Sequence, residues 1–155
     1  MLERVGVDPV TGRTLSVARI GTLDTWPSTI ELPPDFVLLL TLDAGDLSDA
    51  RVGAFATKLV VQGVGYACCW GPDCHRVHRL FDRAAIEANR FVMTTWHEDE
   101  TLDEALWFAV NVALPPNEPT GPPSVLCAAT DDLIDAIHVR LADLPSLTRD
   151  VVGED

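Results

Sequence analysis

Cysteine and histidine residues cluster in one short stretch of the sequence. Cys69, Cys74 and His78 follow one another with the spacing C-x4-C-x3-H, and His97 follows in the next predicted strand. Cys74 and His78 lie one turn apart on one face of a predicted helix, as zinc requires of paired helical ligands. The spacing matches no common zinc motif, however. These four residues are therefore candidate metal ligands, and we expect no bound metal or cofactor.

The same stretch offers a second chemistry, that of a thiol nucleophile. Cys74 lies near the N-terminus of a predicted helix, which stabilises a thiolate, and His97 is available as its base. The neighbouring carboxylate of Asp73 opposes this by adding negative charge. Cys74 and His97 are thus the candidate catalytic residues. The alternative is that all four cysteines are reduced and act as small buried hydrophobic residues.

Sequence signatures of common enzyme sites are missing. Neither glycine-rich phosphate-binding motif, G-x-G-x-x-G or G-x-x-x-x-G-K-[ST], occurs in the chain. No G-x-S-x-G nucleophile elbow is present either. Asp43 and Asp46 are separated by two residues and so do not form the Asp-x-Asp motif of a phosphatase. These absences favour a function without catalysis.

The elements that must position these residues alternate along the chain. Residues 36–42 form an apolar run without alternation, which is typical of a strand buried on both faces. Further strands are predicted at 65–70, 91–96 and 124–129, each followed by a helical pattern. The sequence therefore predicts an α/β fold, a three-layer flavodoxin-like or Rossmann-like domain with a mainly parallel sheet. We expect four core strands in the order 2-1-3-4, with helices on both faces.

The length of 155 residues fits a single domain. Runs at Arg4–Val7 and Thr14–Ile20 flank a turn and predict a hairpin at the edge of the sheet. The tail after Pro145 is expected to be loosely held. The predicted division of the domain 1–155 is a hairpin and loop at 1–34, a strand–helix core at 35–145 and a loose tail at 146–155.

Ligands of such sheets bind beyond the carboxyl ends of the strands. Tryptophan, histidine and acidic residues follow the predicted strands at this edge, which we call the rim. The acidic residues at this edge have a structural explanation, because they complement the dipoles of the helices that begin there. A tryptophan followed by a histidine at a strand end has no such structural explanation and therefore indicates a binding site. The candidate rim residues are Asp43, Asp46, Trp70, Asp73, Trp96, His97, Glu98 and Asp131.

The charge balance limits the classes of partner. Twenty-four acidic and eleven basic residues give a net charge of −13, which argues against binding to nucleic acid. The longest apolar run is too short to span a bilayer, although mean hydropathy is +0.15. No charged and then apolar leader opens the sequence. We therefore expect no membrane association and a cytoplasmic location.

Three functions remain open. The first is a non-enzymatic acidic interaction protein that binds a partner protein with a basic surface, such as an immunity, inhibitor or accessory factor of a bacterial operon. The second is a small-molecule or nucleotide-binding domain that uses Trp70 and Trp96 as stacking platforms. The third is a small hydrolase that uses a carboxylate-held metal or the pair of Cys74 and His97.

Two segments of the chain carry a resemblance to a known family. They are Gly65–His78, with the sequence GYACCWGPDCHRVH, and Thr94–Leu102, with the sequence TTWHEDETL. In these segments the chain resembles a family of small uncharacterised bacterial proteins, classed only as a domain of unknown function. The resemblance covers the greater part of the chain. It implies no activity, and no residue role depends on it.

Overall fold

A six-stranded sheet forms the middle layer of the computed structural model, which describes residues 2–117 and 120–153. The strand order is β1-β2-β6-β3-β4-β5. β1 is antiparallel to β2, and every other neighbouring pair is parallel. The strands are β1 Leu2–Val7, β2 Thr14–Arg19, β3 Phe36–Thr41, β4 Val64–Trp70, β5 Met93–Trp96 and β6 Val125–Ala129.

Helices cover both faces of this sheet. α1 and α2 share one apolar core with Leu38 and Leu40 of β3. Residues of α3, α4 and α5 share the other core with Val37 and Leu39. Side chains alternate along a strand, so β3 supplies both cores and all six of its residues are buried. The helices are α1 Asp49–Val61, α2 Cys74–Glu87, α3 Leu102–Asn111, α4 Asp131–Leu141 and α5 Leu144–Val152.

The predicted α/β class with a mainly parallel sheet is confirmed, and two details of the sheet are corrected. The sheet has six strands rather than four, because both strands of the predicted edge hairpin join it through β2 and β6. The predicted order 2-1-3-4 is wrong: the four strands taken as the core lie in the order β6-β3-β4-β5. β6 is entirely buried and therefore takes an inner position, whereas the half-exposed β5 lies at the edge.

Two helix starts carry capping signals in the sequence, which are Ser48 or Asp46 before α1 and the capping-box spacing of Thr101 and Glu104 before α3, and both helices have side-chain caps. The Ser48 hydroxyl accepts a hydrogen bond from the Arg51 backbone N–H at the start of α1. Thr101 and Glu104 form a capping box at the start of α3, with bonds of 3.0 and 3.1 Å.

The prediction of a loose tail at 146–155 is wrong over its described residues. Leu144–Val152 forms α5, and Leu147 is completely buried against α3 and α4. Pro145 lies in the first turn of α5, where its missing N–H costs no hydrogen bond. The side chain of Asp143 accepts a bond from the Ser146 N–H and caps the helix. Pro145 therefore starts a helix here, in addition to following the end of α4.

Across the described residues, none of the helices is both long enough and apolar enough to pass through a lipid bilayer.

Candidate binding rim

A cleft of about 350 Å³ opens at the rim, between the turn after β4 and the turn after β5. Four of the candidate rim residues line it: Trp70, Asp73, His97 and Glu98. The other lining residues come from the same two turns or from the start of α2: Gly71, Pro72, Cys74, His75, Asp99 and Glu100.

His97 fixes the turn after β5 rather than facing solvent. Its side chain is only 4% exposed. Nδ1 lies 3.0 Å from Glu100 Oε2, and Nε2 lies 2.9 Å from Thr95 Oγ1. The Phe108 ring packs against the imidazole at 4.8 Å between ring centroids. Both ring nitrogens are therefore engaged, and the imidazole holds Glu100 against the end of the strand.

The two rim tryptophans lie on opposite faces of the sheet. Trp70 packs against the core formed with α3, and its Nε1 donates to the Glu100 carbonyl at 2.9 Å. Trp96 pairs in register with Cys69 on the other face. There it stacks on His78 at 4.4 Å between ring centroids. The two indoles therefore do not form one stacking platform.

The proposed thiol nucleophile is buried. Burial raises the pKa of Cys74; a hydrogen bond from the His97 backbone opposes this rise, and the charge of Glu98 adds to it. The His97 ring contacts Thr95 and Glu100 rather than the thiol. The arrangement therefore keeps Cys74 protonated at neutral pH.

The candidate metal ligands are not assembled into one site. Within residues 2–117 and 120–153, no group of three or more His, Cys, Asp or Glu side chains is placed to hold a metal ion. Cys69 is completely buried, which raises its pKa. His78 Nδ1 instead lies 2.9 Å from Thr94 Oγ1, which donates to Asp82.

The remaining acidic rim residues lie outside the cleft. Asp43 accepts a hydrogen bond from the Gly45 N–H at 3.0 Å and thereby shapes its own loop. Asp46 is exposed in the same loop. Asp131 pairs with Arg19 at 2.9 Å, near the carboxyl end of β2. The predicted rim is therefore divided into separate parts.

Arg76 is a structural member of the rim that the list of candidate rim residues does not include. Its guanidinium contacts Asp49 at 2.7 Å and Asp73 at 2.7 Å, and it also donates to the Ala44 carbonyl. These hydrogen bonds raise the pKa of Arg76. Arg76 thus ties the first turns of α1 and α2 together and fixes one wall of the cleft. The available signal was the spacing of Asp73, which directly precedes α2, and an arginine three residues later, although the Asp73 side chain bonds to that arginine and does not cap the helix.

The sequence analysis also did not predict a second and larger cleft, which has a volume of about 650 Å³. It opens between the segment after β2 and helix α4, because these two connections leave the sheet on opposite faces. Val17, Ile20 and Ile134 supply apolar lining, and Arg19, Asp131, Asp135 and His138 are among its polar lining residues. Its position depends on the pairing of β2 with β6, which the sequence analysis did not anticipate.

The comparison with family models decides the family. A model described as a domain of unknown function, DUF7684, matches residues 16–143. The chain belongs to this family. The DUF7684 match extends from β2 through α4 and so includes both turns of the rim cleft. The comparisons with curated proteins and with solved structures gave no match.

Proposed function

We propose that this DUF7684 protein is a non-enzymatic binding protein that takes a basic partner protein at its rim. The observation that carries the proposal is the rim cleft and the two carboxylates beside it. Glu98 and Asp99 line the cleft, and within the described residues neither makes an ion pair. Carboxylates placed in this way suit a lysine or arginine side chain of a partner.

The walls of the cleft are held before any partner arrives. The Glu100 backbone carbonyl accepts a hydrogen bond from the Trp70 indole N–H, and the Glu100 carboxylate is hydrogen-bonded to the His97 ring. Arg76 holds the opposite turn through Asp73. A prearranged site loses little conformational entropy on binding. The half-buried Trp70 ring also offers an apolar surface for the methylene stem of a basic side chain.

The charge surrounding the cleft favours the same class of partner. The net charge is −13, and acidic residues occupy the first turns of the helices that begin at the rim. A concentrated negative field attracts a basic partner and accelerates the encounter. The acidic residues of these first turns are Asp49, Asp103, Glu104, Asp131 and Asp132.

The side chains considered for catalysis support a non-enzymatic function. The Cys74 thiol has a raised pKa because it is buried, whereas a thiol nucleophile needs a lowered one. His97 uses both ring nitrogens within its own turn. In a bacterial operon, such a protein would act as an immunity, inhibitor or accessory factor.

The test uses a defined basic probe. A short peptide of alternating glycine and arginine is titrated into the ¹⁵N-labelled protein, and the same peptide with citrulline in place of arginine serves as the neutral probe. We expect amide shifts concentrated in residues 70–75 and 97–100, with the arginine peptide only. The double variant Glu98→Gln/Asp99→Asn should lose these shifts.

A matched variant separates the site from the overall charge. Glu31→Gln/Glu87→Gln removes the same number of charges from exposed positions outside both the rim cleft and the larger cleft. This variant should bind the arginine peptide as the unchanged protein does. If both double variants weaken binding of the arginine peptide equally, the peptide is attracted by the overall charge and not by the rim cleft, and the proposed site is overturned. An absence of shifts in both turns would overturn it as well.

A second candidate function is supported by the larger cleft. Its volume of about 650 Å³ lies within the range of small-molecule sites, roughly 300–1,000 Å³. It combines an apolar floor with the ion pair of Arg19 and Asp131 at 2.9 Å and a hydrogen-bond contact between Glu3 and His138 at 3.2 Å. A small-molecule screen by the same NMR method would favour this function if shifts fell on residues 20–27 and 134–138.

A further inference from the structure

The outer edge of β5 is open. Within residues 2–117 and 120–153, β5 pairs with β4 alone, and Met93 and Trp96 are 47% and 43% exposed. The His97 N–H donates to the Cys69 carbonyl of β4 at 2.9 Å. Backbone direction alternates along a strand, so Thr94 and Trp96 direct their N–H and C=O groups away from β4. An edge of this kind is a template for another strand.

Apolar side chains extend along this edge beyond the backbone itself. Phe91, two residues before the strand, is 69% exposed. Together with Met93 and Trp96 it presents large apolar groups at the start, the middle and the end of one short segment. Met93 pairs in register with Tyr66 and Trp96 with Cys69, so these two groups lie on opposite faces and a strand added at this edge would contact one on each face.

The charges at the two ends of this segment are opposite in sign. Arg90 precedes the strand, and Glu98 and Asp99 follow it. None of these three side chains makes an ion pair within residues 2–117 and 120–153. The edge is therefore basic at its start, apolar in its middle and acidic at its end.

We propose that two copies of this chain form a dimer by antiparallel pairing of their β5 edges. In the register that pairs the outward-facing backbone groups of the two copies, Thr94 lies opposite Trp96 of the second copy. Arg90 then lies opposite the acidic turn at 98–100, and twofold symmetry forms this contact twice. A surface that complements itself in this way fits an isologous dimer.

This dimer goes beyond the proposed binding of a partner protein, and the two share the acidic turn at 98–100 but not Arg90. The pairing uses backbone groups and the side chains beside β5, whereas the rim cleft opens at the carboxyl end of the sheet. Arg90 is not among the residues lining the cleft. Loss of the dimer through Arg90 and loss of peptide binding through the cleft are therefore separate results.

The test measures the mass of the whole protein in solution by light scattering and sedimentation equilibrium. We expect twice the chain mass of 16.8 kDa. Arg90→Glu should give a monomer, because it places a further carboxylate against the acidic turn at 98–100 twice, and Glu98→Arg should weaken the dimer, because it cancels most of the negative charge of that turn. Mixing the two variants in equal amounts should restore a dimer to Arg90→Glu, since one contact between unlike chains then sets Arg90 against the complete acidic turn and the other sets the new glutamate beside the new arginine. Asp99 is left unchanged because its backbone has a φ of 63°.

Two further variants make the result decisive. Arg83→Glu carries the same charge change on a part of α2 that faces α1, beside Asp49 and Gly53, and it should remain dimeric. Met93→Lys places a charge on the edge itself and should give a folded monomer, with folding checked by circular dichroism. A monomeric unchanged protein, a dimeric Met93→Lys variant or the absence of a dimer on mixing would each overturn the proposal.

Discussion

The four cysteine thiols lie inside the two cores of the protein, as the alternative to a reactive thiol predicts. Cys68 and Cys69 are neighbours in β4 and face opposite cores. All four are free and at most 4% exposed. Burial raises the pKa of each thiol, and it raises the pKa of Cys127 to about 12. They therefore act as small apolar residues that stay protonated at neutral pH.

This burial predicts a loss of stability in alkali. An unfolded thiol loses its proton near pH 9.0, whereas Cys127 in the folded protein keeps it to about 12. Between these values the folded state binds more protons than the unfolded state, so the free energy of unfolding falls as pH rises. Replacing Cys127 with alanine should reduce that fall by about 1.4 kcal/mol per pH unit. Urea unfolding under reducing conditions across this pH window measures the slope.

The control for this slope is Val17→Ala, which truncates a buried side chain of β2 that does not titrate. It should lower stability by a similar amount at every pH and leave the slope unchanged. An identical slope in Cys127→Ala and in the unchanged protein would contradict the prediction.

Sequence reasoning located part of the candidate site at this scale. It grouped Trp70, Asp73 and His97 correctly, because the carboxyl ends of parallel strands share one edge of the sheet. It did not separate Trp70 from Trp96. The face on which a strand residue lies depends on the register of pairing, and the register of Cys69 with Trp96 is a tertiary property.

At the scale of elements, the connection from β4 to α2 passes unusually close to the end of β3. Gly71 has a φ of 122°, and a Cβ at this position would lie 2.3 Å from the Leu42 carbonyl oxygen. The Leu42 N–H in turn donates to the Trp70 carbonyl at 3.1 Å. Only glycine allows this approach, which places the turn at one side of the rim cleft.

Two glycine substitutions should therefore have opposite effects. Gly71→Ala combines an unfavourable backbone conformation with a clash against fixed backbone, and should destabilise the protein by at least about 2 kcal/mol. Gly53→Ala, inside α1, places the new Cβ where no atom lies within 4 Å. It should stabilise the protein by about 0.5–1 kcal/mol through helix propensity. Urea denaturation of both variants measures this, and changes of the same sign would contradict it.

The elements were predicted more reliably than their arrangement. Local signals such as the Ser48 cap and the Thr101–Glu104 box depend on neighbouring residues only, and they agree with the structure. The order of strands depends on which surfaces need burial. The two threonines of β5 were the available sign of an edge strand, and the wholly apolar β6 was a sign of an inner one.

At the scale of the whole molecule, ion pairs offset part of the negative charge, and Arg19, Arg51, Arg76 and Arg140 are among the basic residues that form them. Arg140 bridges α3 and α5 through Asp103 at 2.6 Å and Asp150 at 2.7 Å. Arg51 and Asp24 form a more exposed pair at 3.6 Å. Exposed pairs of this kind contribute only about 0–1 kcal/mol each. The net charge of −13 is therefore not compensated by these pairs, and repulsion between carboxylates destabilises the folded state.

This repulsion predicts that salt stabilises the protein. The Debye length falls from about 30 Å at 0.01 M to about 8 Å at 0.15 M ionic strength. Repulsion between distant carboxylates is thereby screened, while close pairs such as Arg140–Asp103 lose little. We expect the melting temperature to rise by about 2–6 °C over this range, measured by circular dichroism. The same measurement on the Arg90→Glu variant excludes a contribution from the proposed dimer. The Glu31→Gln/Glu87→Gln variant carries two fewer negative charges, so its melting temperature should rise less with salt. A melting temperature that falls with salt would mean that the ion pairs outweigh the general repulsion.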